Sequence, residues 1–166
     1  MKKRTVAMTL LIIFAVVVAI TPVQTISALT AESSASASGH GTILLEGGAK
    51  RQFSFTAVQH RDGTVSGNAV IHNPGFDFRS HVEITCLVVD GQRASFGGTV
   101  RSTNDPALNG NRGFFTVFDN GEPGRGADTI SLVFFDEQVG VEACQSIGAN
   151  DFPQIPIDAG NVQVRQ

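Results

Sequence analysis

Beyond residue 40, apolar side chains recur at every second position, and Gly or Asp-Gly pairs cut this alternation into short runs. Arg51 to Gln59 places Phe53, Phe55 and Ala57 on one face and Ser54 and Thr56 on the other. The turn Arg61-Asp62-Gly63-Thr64 then leads into Thr64 to His72, with Val65, Gly67, Ala69 and Ile71 in register. His81 to Asp90 presents Val82, Ile84, Cys86 and Val88 inward, and Asp90-Gly91 turns the chain into Arg93 to Arg101. Gly41 to Glu46, Phe114 to Phe118, Thr129 to Phe135 and Asn161 to Arg165 read as further strands, with weaker segments at Val141 to Ile147 and Phe152 to Pro156. No stretch beyond the first 28 residues shows a 3.6-residue period.

These runs predict an all-β fold: a single antiparallel meander of about eight strands. A lone sheet of that length must bury its apolar face, so it is expected to close into a barrel-like sandwich over residues 41–166. The expected interior is Phe53, Phe55, Ile71, Val82, Ile84, Phe96, Val100, Phe114, Phe118, Ile130 and Phe134.

The start of the chain reads differently. Met1-Lys2-Lys3-Arg4 is cationic, and Val6 to Ile20 is almost uninterruptedly apolar until Thr21-Pro22. This is the layout of a signal peptide helix over residues 1–28, too short for a comfortable membrane anchor. Cleavage is expected after Ala28, with a second candidate after Ala37, and no Cys lies near either for lipid attachment. Residues 29–40 (LTAESSASASGH) read as a flexible tether rich in Ser and Ala. The domain is therefore expected to be secreted or held at the cell envelope, with no stable membrane insertion once the leader is removed.

Cys86 and Cys144 suit that oxidising location, either as a disulfide or as two small buried apolar residues. Without the basic residues of the leader, nine Lys and Arg face fifteen Asp and Glu, a net charge of −6, and the nine are scattered. Such a surface repels phosphate, which argues against a nucleic-acid partner.

Several of these segments together resemble a known group. Phe53-Ser54-Phe55, the run Ile84 to Ala94, the element Val117 to Gly124 followed by Asp128-Thr129-Ile130, and Ala159 to Val164 are similar to an uncharacterised family of bacterial secreted β-rich domains. Its members are hypothetical exported proteins or post-COAP-1-like modules, and Asp119-Asn120-Gly121-Glu122-Pro123-Gly124 is the most specific part of the likeness. The resemblance spans about residues 40–165 and implies the β-rich exported fold, without assigned catalytic or binding residues. The Phe152 to Pro156 stretch and Cys144 depart from it.

The candidate chemistry is sparse. Asp119, Asn120, Glu122 and Asp128 gather oxygen donors near one hairpin tip, the kind of set that holds Ca²⁺, although the spacing differs from an EF-hand loop. The same residues also read as turn formers that bond their own loop backbone. His72 and His81 flank a loop containing Asp77 and could form a metal or acid/base pair; His40 and His60 lie in the tether and at a hairpin. No G-x-S-x-G, S-x-x-K, H-E-x-x-H or P-loop pattern is present. With no Trp and no Tyr, the aromatic platforms of sugar binders are missing. The expected role is a non-enzymatic surface or extracellular module that binds a protein or small ligand. A secreted hydrolase with a loop-assembled site and a small barrel around an apolar ligand are the alternatives.

Overall fold

A computed structural model describes residues 35–166. The expected signal peptide and the first part of the expected tether lie outside the described residues. Ten antiparallel strands form one sheet curled into a half-barrel: β1 (Ser36–Leu44), β2 (Lys50–Gln59), β3 (Val65–Asn73), β4 (Phe78–Asp90), β5 (Arg93–Thr103), β6 (Arg112–Phe118), β7 (Thr129–Ser131), β8 (Phe134–Asp136), β9 (Gln154–Pro156) and β10 (Ala159–Arg165). The all-β meander is as expected, with ten strands in place of about eight: the run Thr129 to Phe135 is split into β7 and β8, and of the two weaker segments Phe152 to Pro156 supplies β9 whereas Val141 to Ile147 forms a 3-10 segment rather than a strand. Among the described residues no helix is long and apolar enough to cross a membrane.

One boundary needs correction. Residues 36–40 belong to β1 rather than to a tether: Ala37 is buried and faces Ala57 of β2 and Val164 of β10. Small residues suit this place because the flanking strands crowd it. A Cβ on Gly39 would sit 2.7 Å from the Phe55 ring, so a composition that reads as flexible is there for close packing.

Strands β1 to β6 pair in sequence order, and β10 returns to lie beside β1. The last run of chain has two partners. Gln154–Pro156 pairs with β7, Ile157 exchanges hydrogen bonds with Asp128 and Gly126, and from Asp158 onward the chain pairs with β1. A single extended run thus ties both margins of the curled sheet together.

The interior is filled by side chains. Phe96 and Phe115 stack at 4.4 Å between ring centroids, and Phe55 meets them edge-on at 5.1 and 5.7 Å. Around them pack Phe53, Ile71, Val82, Ile84, Leu87, Val100, Val117, Ile130, Ile157 and Val162. Three expectations for the interior fail. On β6 it is Phe115 and Val117 that face the main core, whereas Phe114 points the other way and is buried under a different cover. Phe118 is only half-buried and Phe134 is 52% exposed. The inward face of β4 also changes at Thr85, where a register shift between Ile84 and Cys86 marks a bulge. The extra residue flips the alternation, so Leu87 and Val89 pack inward while Cys86 and Val88 turn outward.

That outward patch has its own lid. A 3-10 segment, Val141–Ser146, lies over it, and Cys144 reaches disulfide distance of Cys86, with 6.2 Å between the Cα atoms. Cys86, Cys144 and Phe114 form a second small core with Val88, Ala143, Ile147 and Phe152. Gly97 permits the approach, since a Cβ there would meet the Val141 carbonyl at 2.5 Å. Arg93 fixes the far end by donating to the Ile147 carbonyl at 3.0 Å.

Candidate functional site

The acidic loop singled out from sequence connects β6 to β7, and its residues do converge. They converge on β10. Among the described residues no strand lies beside the outer edge of β10, and the N–H groups of Val162 and Val164 point toward the loop. Asp128 is completely buried and accepts from Val162 at 2.8 Å through Oδ2 and from the Asn120 backbone at 2.9 Å through Oδ1. Asp119 accepts from Val164 at 3.0 Å through Oδ2 and from Gly121 at 3.3 Å through Oδ1. Asn161 completes the contact: its Oδ1 accepts from Gly124 at 2.9 Å and its Nδ2 donates to Glu122 at 2.8 Å. The Asn120 amide donates to the Ala127 carbonyl at 2.8 Å and holds the loop's own shape.

Two carboxylates therefore do for β10 what a neighbouring strand would otherwise do, accepting alternate backbone N–H groups along its free edge. Gly124 is required here, because a Cβ would fall 2.0 Å from Asp128 Oδ2 and 2.1 Å from Asn161 Oδ1. Among the described residues no three His, Cys, Asp or Glu side chains are grouped to hold a metal ion. With both Asp128 oxygens engaged by N–H donors, added Ca²⁺ or chelator is expected to leave the melting temperature unchanged. A calcium-dependent rise in a thermal scan would show that these oxygens turn to a cation instead.

The histidines do not form a site with Asp77. His72 and His81 share the polar outer face of β3 and β4, where His72 Nδ1 meets Gln52 at 3.3 Å and His81 Nε2 meets Asn68 at 3.0 Å. His60 meets the Ser66 hydroxyl at 2.7 Å, and His40 is exposed on β1. Asp77 takes a left-handed conformation after the 3-10 turn Pro74–Phe76, and its carbonyl accepts from the Asn104 amide.

The feature that sequence patterning missed is at one end of the barrel, where β1, β3 and β5 finish and β2, β4 and β6 begin. Between Ile130, opposite Val117, and Phe134, opposite Phe114, the chain carries one residue more than β6 does. This bulge turns Leu132 and Phe134 outward while Val133 packs against the core, and the Ser131 hydroxyl accepts the Thr116 N–H in place of a ladder bond, at 2.9 Å. Together with Leu44 and Leu45 at the end of β1, Phe76 of the 3-10 turn, and Phe152, Pro153 and Ile155 ahead of and within β9, the bulge walls a groove of about 700 Å³. Phe134 stacks on Phe152 across it, with ring centroids 6.1 Å apart. Leu44, Phe76, Leu132 and Phe134 are each exposed by 45% or more.

A second hollow of about 460 Å³ adjoins the groove at the barrel end and shares Leu45, Phe76, Leu132 and Val133 with it. Its wall contains two polar side chains, Arg51 and Asn73. Arg51 continues the inward-facing series of β2 that runs through Phe53 and Phe55, and its Nε is buried without a hydrogen-bond partner. Burial holds the guanidinium pKa below its ordinary value by desolvation. Asn73 is 2% exposed and its Oδ1 has no partner; the nearby Ser80 hydroxyl, on the inward face of β4, is likewise buried and unpartnered. The one sequence signal for this place was Arg51 at an inward position of an otherwise apolar face.

Comparison with family models, with curated proteins and with solved structures finds no match to this chain.

Proposed function

We propose that this is an exported, non-enzymatic binding module whose open barrel end takes an apolar ligand. The observation that carries the reading is the groove walled by Leu44, Phe76, Leu132, Phe134 and Phe152, which joins a second hollow beside it. Its volume falls in the roughly 300–1,000 Å³ range of small-molecule sites. Exposing a contiguous apolar surface favours aggregation, and natural domains keep such surfaces chiefly where something binds. The ligand site suggested here is a surface groove and end pocket, since the barrel centre is filled by Phe55, Phe96 and Phe115.

Export is supported by the cationic and apolar leader and by the pairing of Cys86 with Cys144, which persists in oxidising compartments. The place of Ala37 inside β1 favours leader removal after Ala28, because cutting after Ala37 would delete Ser36 and Ala37 from the ladder with β2 and β10. The likeness to secreted β-rich domains belongs to the same reading.

Titration with the neutral dye N-phenyl-1-naphthylamine tests the site. The protein is expected to enhance dye emission saturably. A variant carrying Leu132→Asp and Phe134→Asp, both at exposed positions, is expected to bind the dye at least tenfold more weakly, while Ser38→Asp on the polar outer face leaves binding unchanged. Equal dye binding by all three proteins would remove the groove from consideration.

A further inference from the structure

We infer that the ligand of this end pocket is a free fatty acid, its chain lying along the apolar groove and its carboxylate received by Arg51 with Asn73. The inference rests on the reading of the groove as a ligand site and adds the chemical class of the ligand.

Arg51 is the starting point. An inward position on β2, in line with Phe53 and Phe55, is one where an unpaired charge is costly. The ion pairs among the described residues are Arg93 with Asp90 and Arg101 with Glu83, so among these residues Arg51 has no carboxylate partner to offset its desolvation. Its Nε is buried and unpartnered, and the Asn73 side chain, almost wholly buried in the same wall, also has an unpartnered polar atom. Two such groups at the end of an apolar core cost stability, and a ligand that offers them hydrogen bonds offsets that cost. A planar guanidinium matches a carboxylate in two parallel hydrogen bonds. The Asn73 amide can offer its N–H₂ to the same oxygens by turning about its terminal bond, since both ends of an amide are hydrogen-bonding groups.

The rest of the ligand follows from the shape. The hollow around Arg51 and the outer groove share Leu45, Phe76, Leu132 and Val133, so a molecule whose head sits at Arg51 has a continuous apolar path to Phe134 and Phe152. Charge sets the direction. Glu46 lines the outer groove and not the hollow that holds Arg51, so an anionic head is disfavoured in the groove and favoured beside Arg51. A neutral alcohol would leave Arg51 unpaired, and a cationic amphiphile would meet its charge directly.

Isothermal titration of the purified protein with dodecanoate and with dodecan-1-ol, both kept below their aggregation concentrations, separates the possibilities. Dodecanoate is expected to bind at least tenfold more tightly than the alcohol. Arg51→Met is expected to reduce dodecanoate binding about tenfold, to the level of the alcohol, and to leave the alcohol itself unchanged. Arg51→Lys should retain part of the preference, and affinity for the acids should rise about tenfold for every two methylenes added from octanoate to dodecanoate. Urea midpoints and far-ultraviolet circular dichroism establish that each variant folds. If Arg51→Met does not fold, the acid-to-alcohol ratio in the unaltered protein and in Arg51→Lys decides. Equal affinity for acid and alcohol, or a preference that survives Arg51→Met, overturns the inference while the groove remains a ligand site. If dodecanoate, the alcohol and the neutral dye all fail to bind, the reading of the groove fails with it. Sedimentation with phosphatidylglycerol vesicles is the last arm: capture by vesicles without binding of free dodecanoate assigns the site to a membrane headgroup and overturns the proposal.

Discussion

Asp128→Ala is expected to destabilise the domain by about 3–5 kcal/mol, in urea unfolding, with little change in the slope of the transition. The carboxylate is completely buried and holds the backbone N–H groups of Asn120 and Val162. Removing it orphans both, at about 1–3 kcal/mol each, and leaves a small void besides. Asp128→Asn supplies one acceptor but turns an N–H₂ toward the other donor, so it should lose about 1–3 kcal/mol. Hydrogen exchange offers a local check. The amides of Val162 and Val164 should exchange faster in Asp128→Ala than in the parent, because the free edge of β10 loses part of its cover. A midpoint within about 0.5 kcal/mol of the parent would mean that the ladder with β1 alone keeps β10 in place.

Opening the disulfide is the second large effect. Cys86 and Cys144 are 58 residues apart in sequence, and a cross-link of that span is worth about 4 kcal/mol in the chain-entropy treatment, with about 2–4 kcal/mol typical of measured bonds. The double change Cys86→Ala with Cys144→Ala is therefore expected to lower stability by about 2–4 kcal/mol, a large part of the roughly 5–15 kcal/mol of an ordinary domain. Alanine is the right replacement because both sulfurs lie among apolar neighbours, Phe114, Val88 and Phe152. The loss should be accompanied by faster proteolysis within Val141–Ser146, which the bond clamps to β4. Should full reduction, verified by mass, leave the urea midpoint unmoved, the segment is held by packing and by Arg93 rather than by the bond.

The alternation in β2 and β3 was legible from sequence because both strands have one buried and one wet face, with Phe53, Phe55, Ala69 and Ile71 inward. It failed on β4 and β6 for two distinct reasons. A single extra residue at Thr85 reverses the parity of everything after it, so Cys86 and Leu87 exchange sides. On β6 every residue from Gly113 to Val117 is buried, because Val141–Ser146 covers the second face, and a strand buried on both sides has no alternation to read. The acidic loop was visible as a cluster, yet its partners are N–H groups on a strand that begins more than thirty positions after Asp128, and backbone donors leave no mark in side-chain spelling. The end pocket was written in the chain only as one misplaced cation, Arg51, and the bulge at Leu132–Val133 that shapes it is a property of pairing with β6.

The strand with two partners carries a kinetic consequence. Ser36 pairs with Arg165 and Thr42 with Ala159, so β1 can find β10 only after well over a hundred intervening residues have been drawn into a loop. The entropy of that encounter is lost before its contacts form, which places the domain among slow, non-local folders that acquire structure in milliseconds to seconds rather than microseconds. Until the encounter succeeds, β1 and β7 each present a bare margin, and the half-assembled sheet is the species most exposed to sticking to its own kind.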